Sequence, residues 1–198
     1  MAAITIPAEN RQLTDPAEMN AFLGQFGICY ERWPLEDRVS PDAASEEILA
    51  AYEPEIRQLM ERGGYVTADV VNITPETPNL QVLLDKFNKE HIHTEDEVRF
   101  ILKGKGLFHI HPANGPVFAI TIAAGDMINV PRGTQHWFDL CEEKTIRAIR
   151  LFQDQTGWTP HYIESGVHAS YAPLCWGPNY LPPAGIRMDA IRTDTVRV

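Results

Sequence analysis

The chain has 198 residues, enough to bury one sizeable core and short of the length that calls for two domains. Its formal net charge is −10 with no basic run, which argues against a nucleic-acid backbone or an anionic membrane surface as partner. The amino end, MAAITIPAENRQLTDP, carries no positively charged apolar leader, and no apolar run approaches the roughly 20 residues of a membrane span. Three cysteines, Cys29, Cys141 and Cys175, are widely spaced and odd in number. That pattern fits reduced thiols in a cytoplasmic protein better than a disulfide framework or a Cys-x-x-Cys metal site.

In chain order, the first third reads helical. Asp15-Pro16 offers an N-cap acceptor followed by Pro at the first helical position, and Met19, Phe22, Leu23 and Phe26 follow at helical spacing. A second helix is expected from about Ala44 to Arg62, with Ile48, Tyr52, Ile56 and Leu59 on one stripe. Pro54 should kink or divide it, and Gly63-Gly64 should stop it. A third, near Asn79 to Asn88, leads into EHIHTEDEVRFILKGKGLFHIHP, residues 90–112.

From there to about Phe152 the pattern changes to short strands. VRFIL, LFHIH, VFAITI, MINV and IRAIRLF are rich in β-branched and aromatic residues and are punctuated by Gly104-Lys105-Gly106, Asn114-Gly115-Pro116, Gly125-Asp126 and Pro131-Arg132-Gly133. Such punctuation suggests an antiparallel sandwich or barrel. The expected organisation is one domain over 1–198: a helical part at 1–88, a barrel core at 89–155 and an irregular, Pro-rich strap at 156–198.

The stretch 90–112 contains His-Ile-His twice. In an extended strand residues i and i+2 share a face, so each triplet could offer two imidazoles to one ion. The first pair, His91 and His93, has company: Glu97 follows at matching parity, and a second block, GDMINVPRGTQHWFD, brings His136 just past a Pro-x-Gly turn. Three imidazoles and a carboxylate, without sulfur, suit iron, nickel, cobalt or manganese better than structural zinc. His109 and His111 have no carboxylate at matching spacing and read as strand residues near a sheet edge or barrel rim. His161 and His168 stand isolated in the tail.

Together the blocks read H-x-H-x3-E-x6-G and G-x5-P-x-G-x2-H. They resemble the two motifs of the cupins, small β-barrels that hold a metal inside. This implies a mainly β, cupin-type double-stranded β-barrel (jelly roll) with α-helices in the N-terminal third. The chain departs from the pattern at Leu140, where the second motif often has Asn, but that Asn is not a ligand in the family. Near the site, Arg99 and Arg150 could serve an acidic substrate or form structural ion pairs. Phe87 and Phe138 could be pocket walls or plain core.

The strings EHIHTEDEVRFILKGKGLF, VPRGTQHWFD and AIRLFQDQTGW, with ERW at Glu31 to Trp33, resemble the acireductone dioxygenases, cupins of methionine salvage. The resemblance implies that one Fe(II) or Ni(II) per chain is held by His91, His93, Glu97 and His136. It further implies Arg99 as the catalytic cation and Phe87, Phe138, Arg150 and Trp158 as substrate-binding residues. The implied partners are a small-molecule substrate, 1,2-dihydroxy-3-keto-5-methylthiopentene, and O2; the implied state is a monomer. With Fe(II) the products would be 4-methylthio-2-oxobutanoate and formate; with Ni(II), 3-methylthiopropanoate, formate and carbon monoxide. The residues alone also admit another metal-dependent cupin, an isomerase or a dioxygenase of a different chelating substrate, or a ligand-sensing cupin.

Overall fold

The computed structural model describes residues 2–35, 38–154, 158–173, 175, 179 and 180. The expected strap at 156–198 is therefore described only in part, and its end from residue 181 lies outside the described residues.

The helices follow their sequence signals. In α1 (Pro16–Gly24) the Asp15 carboxylate accepts from the backbone N–H groups of Ala17 and Glu18, both at 3.0 Å, occupying donors that the first turn leaves free. The long central helix is divided at Tyr52, just before Pro54, into α2 (Ser45–Ala51) and α3 (Glu53–Gly63). Gly64 then caps α3 in the left-handed region, at φ 67°. A short α4 (Leu80–Asp85) precedes the first histidine pair.

The part at 1–88, expected to be helical, also holds four strands: β1 (Ala3–Ile6), β2 (Arg11–Leu13), β3 (Cys29–Arg32) and β4 (Thr67–Ile73). Their sequences are short, but Ile4 and Ile6 alternate into the core and TADVVNI is β-branched, so neighbours in space complete what local sequence only hints at. The remaining strands are β5 (His91–Ile92), β6 (Glu97–His111), β7 (Phe118–Ala123), β8 (Asp126–Val130), β9 (Gln135–Leu140), β10 (Ile146–Phe152), β11 (His161–Tyr162), β12 (Tyr171–Ala172) and β13 (Asn179–Tyr180).

One strand organises the barrel. The first half of β6 pairs with β8 and β10, in a sheet ordered β4-β10-β6-β8-β3. Its second half pairs with β7 and β9, in a sheet ordered β2-β1-β7-β6-β9-β5-β11. The turn expected at Gly104-Lys105-Gly106 is thus a bend within one continuous strand. Gly104 adopts φ 82°, and a Cβ there would lie 2.0 Å from the carbonyl oxygen of Thr145. The motif glycine therefore permits both the bend and the close approach of the neighbouring chain.

Alternation along β6 separates two environments. Val98, Phe100 and Leu102 point outward and pack under α2 and α3 with Ile48, Tyr52, Ile56 and Leu59. Ile101, Phe108 and Ile110 belong to the other apolar cluster with Ile4, Phe118, Ile120 and Phe138. Both layers are buried and apolar, which leaves Glu97 and Arg99 as charges inside an apolar shell.

The cysteine expectation is also corrected: Cys141 and Cys175 form a disulfide, and only Cys29 is free among the described residues. The chain beyond β11 returns to the end of β9 and brings the two Cα atoms within 5.5 Å across 34 residues of sequence, a closure that spacing does not disclose.

Replacing Gly104 by Ala should lower stability by about 1–3 kcal/mol, because a left-handed conformation and a backbone clash coincide there. Urea unfolding followed by circular dichroism measures this; an unchanged midpoint would mean that the backbone at Thr145 can yield.

Candidate metal centre

His91, His93 and His136 reach the site from two elements. β5 carries His91 and the chain just past it carries His93, while His136 is directly opposite His91 on β9. The loop before β9 is held by the Gly133 N–H, which donates to the His93 carbonyl at 2.9 Å. The imidazole centroids lie 4.5 to 5.2 Å apart, and all three side chains are buried. One ligand atom from each falls within 4.8 Å of the others.

Hydrogen bonding fixes which nitrogen each ring presents. His91 Nδ1 meets the Lys89 carbonyl at 2.6 Å, His93 Nδ1 the Thr159 carbonyl at 3.0 Å and His136 Nδ1 the Thr134 carbonyl at 2.8 Å. A carbonyl can only accept, so Nδ1 carries the proton in each ring and a neutral imidazole presents the Nε2 lone pair. The Nε2 atoms of His91 and His93 are buried without a hydrogen-bond partner. Such orphans cost free energy unless something satisfies them.

Glu97, the first residue of β6, completes the cluster. Its Oε2 lies 2.9 Å from His136 Nε2 and 3.4 Å from His93 Nε2, the latter without hydrogen-bond geometry. With Nδ1 protonated, His136 Nε2 and Glu97 Oε2 are two acceptors face to face. A cation between them, proton or metal ion, satisfies both. The donor set therefore fits a divalent ion of the first transition row: three nitrogens with oriented lone pairs and an anionic oxygen.

Electrostatics keeps the carboxylate charged. Burial alone would raise the Glu97 carboxyl, but Arg99 and the imidazoles of His136 and His93 hold it well below the usual range. Arg99 donates from Nε to Glu97 Oε1 at 2.6 Å, and burial pulls the guanidinium below its usual range while Glu97 draws it back. It remains a cation at neutral pH. Burial, and then the proximity of His136, depress the His91 imidazole to about 3, so it is neutral there.

The other expected residues surround this cluster. The Arg99 guanidinium lies over the rings of Phe138 and Trp158, at 4.8 and 5.0 Å from their centroids. The Phe87 ring is 5.9 Å from that of His91, and Trp158 is 6.1 Å from His93. Arg150 is directly across the sheet from Arg99 and lies over Trp158, but Asp69 holds it in a bidentate pair at 2.8 and 2.6 Å. Sequence reasoning missed Asp69, Phe108 beneath Arg99, and the carbonyls of Lys89, Thr134 and Thr159. Backbone acceptors leave no trace in residue identity, whereas Asp69 could have been noticed as a lone acid in the β-branched run TADVVNI. A groove of about 960 Å³ lies elsewhere, lined by Arg11, Phe26, Pro131 and Thr134 among others, and none of the three histidines contributes to it.

The second His-Ile-His triplet packs. His109 is fully buried and stacked on Trp137, with centroids 4.7 Å and planes 9° apart. It lies in the interior of the sheet, between β7 and β9, not at the edge or rim expected. His111 Nδ1 instead meets the buried carboxylate of Glu90.

A double-stranded β-barrel that gathers three buried histidines from two motif strands is a metal-binding cupin. A model of the ARD/ARD' family matches residues 8–160, and the chain belongs to that family. It is 44% identical over 164 residues to an acireductone dioxygenase of Picosynechococcus sp., covering 82% of this chain and 93% of that one. With an acireductone dioxygenase of Granulibacter bethesdensis the identity is 42% over 168 residues, covering 82% of this chain and 93% of the relative. Among solved structures, the acireductone dioxygenase from Bacillus anthracis with cadmium ion in its active centre superposes with TM-score 0.77 at 37% identity. That match covers 82% of this chain and 98% of the other.

Burial depresses the His109 imidazole to about 3, whereas the unfolded chain takes up that proton near 6.5. Stability should therefore fall as the pH drops from 6.5 towards 3, because the unfolded state binds more protons. Between pH 7.5 and about 4.5, wild type should lose about 3 kcal/mol more than His109→Phe, read from urea midpoints. Equal losses would mean that His109 carries a proton in the fold. Asp139, 3.6 Å away and raised to about 7 by burial, acts in the opposite direction, so the comparison is made with Asp139→Asn in both proteins.

Proposed function

We propose that this chain is an acireductone dioxygenase that cleaves 1,2-dihydroxy-3-keto-5-methylthiopentene with O2 in methionine salvage. The reading is supported above all by the convergence of His91, His93 and His136 on the ionised Glu97, with Arg99 directly behind it, in a chain of this family. His91, His93, Glu97 and His136 would hold one Fe(II) or Ni(II). Bound there, the ion would supply Lewis acidity and two open positions for a substrate that chelates through adjacent oxygens. Iron would direct cleavage to 4-methylthio-2-oxobutanoate and formate, and nickel to 3-methylthiopropanoate, formate and carbon monoxide.

The chain's own residues supply the remainder. Arg99 is a cation in a shell of Phe108, Phe138 and Trp158, where low polarisability strengthens its field. That field favours the ionised form of an acidic enediol and stabilises negative charge as it develops on the reacting carbons. Arg150 stands on the same face, with its charge met and its orientation fixed by Asp69. Phe87, Phe138 and Trp158 present apolar surface that excludes water and suits the methylthio end of the substrate. The three backbone carbonyls on Nδ1 hold the imidazoles in one tautomer, so no ring has to reorganise during turnover.

The direct test is aerobic turnover of enzymatically generated substrate by iron-reconstituted protein, with oxygen uptake, formate and the keto acid followed together. Iron-dependent formation of both products with oxygen consumed is expected; substrate loss without oxygen uptake would indicate an isomerase instead. In the same assay Arg99→Ala should lower turnover by about 100-fold or more while metal content stays near that of wild type. Unchanged turnover would remove Arg99 from the mechanism.

A further inference from the structure

The segment from Trp158 to Cys175 lies mostly beyond the family match, which ends at residue 160. It nevertheless touches β5 and β9, the strands that carry His91 and His136. Thr159 offers its carbonyl to His93 Nδ1. β11 pairs with β5, Tyr162 opposite His91, and the Ile163 N–H donates to the Glu90 carbonyl at 2.9 Å. The Ser165 hydroxyl donates to the fully buried Glu90 carboxylate, which also meets His111. Further on, the rings of His168 and Tyr171 cover Trp137, and the Thr121 hydroxyl donates to the Cys175 carbonyl at 3.0 Å. Cys175 is then bonded to Cys141, one residue past the end of β9, the strand that bears His136.

The connection matters because β5 is held thinly. It is two residues long and pairs with β9 at the single register His91–His136; its other edge is occupied by β11. The disulfide ties the end of the His136 strand covalently to the strap, and the strap in turn is hydrogen-bonded to the strand with His91 and to His93.

We infer that the Cys141–Cys175 disulfide is a redox-responsive staple that keeps the strap seated on β5, so that reducing it speeds release of the bound metal. The inference rests on the three-histidine metal site. Chemically, a dithiol reduces the staple: one thiolate attacks a sulfur of the bridge and the second displaces the mixed disulfide. The bridge becomes two thiols and the dithiol becomes its own disulfide, so two electrons and two protons are transferred. Cys141 is buried and Cys175 half-buried, which leaves the approach on the strap side. Without the staple the strap keeps its hydrogen bonds, but these hold only a short edge strand whose ordering entropy the crosslink had reduced.

The test compares cobalt(II)-loaded full-length wild type, Cys175→Ser, Cys141→Ser and Cys29→Ser, following cobalt release to excess chelator. Hydrogen exchange over residues 90–93 and 159–165 is measured alongside. Both staple variants should release cobalt roughly tenfold faster and exchange faster in those segments, whereas Cys29→Ser should match wild type. Wild type reduced with a dithiol, freed of the reagent and then loaded should behave like Cys175→Ser, and return to slow release after reoxidation by a cyclic disulfide. This cycle also serves if a variant fails to fold. Release and exchange equal to wild type in the staple variants would overturn the inference. Alkylation of all three cysteines in unreduced native protein would do the same. Failure of wild type itself to retain cobalt would instead refute the metal site.

Discussion

The structure depends on keeping one negative charge inside an apolar barrel. Glu97 is buried on a strand whose alternate residues, Val98, Phe100 and Leu102, are packed beneath helices. A carboxylate in that position costs several kcal/mol unless its charge is met, and removing one partner leaves the others uncompensated. Arg99 meets it from one side through a 2.6 Å hydrogen bond, and the imidazoles meet it from the other. With their Nδ1 protons committed to carbonyls, the imidazoles turn Nε2 towards it, so the arrangement is balanced around a cation held between them. Folding thus prepares a site that a divalent cation fits.

The same constraint explains the sharing of roles along β6. Its first residues carry charge to the barrel interior, and its later residues carry the apolar floor, Phe108 and Ile110. The bend at Gly104 passes the strand from one sheet to the other, so a single segment braces both walls of the cavity. Arg99, neighbour of Arg150 across β6 and β10, then places a buried cation against Glu97, with aromatic faces shielding it from water, while Arg150 is partly exposed and paired with Asp69.

Much of this was legible in the sequence. Parity placed His91 with His93 and Glu97 with Arg99, and the Pro-x-Gly turn before His136 marked the second strand of the site. The helix start at Asp15-Pro16 and the break at Pro54 were readable because capping and proline chemistry are local. Other features were not, because they depend on distant partners. Strands of three or four residues such as β1 and β2 have no periodicity long enough to detect, and the continuity of β6 through two glycines depends on strands pairing on either side. The Cys141–Cys175 bridge depends on the path of the strap, and the tautomers of the three histidines on carbonyls that any residue could supply.

Together His91, His93, His136 and Glu97 would hold one ion. Calorimetric titration of metal-free protein with cobalt(II), alongside the visible spectrum of the ion, measures this. Saturation at one ion per chain with a nitrogen- and oxygen-ligated spectrum is expected, with that binding lost in His93→Ala while the fold persists. Undiminished binding in His93→Ala, or a wild type that binds no ion, would overturn the shared centre.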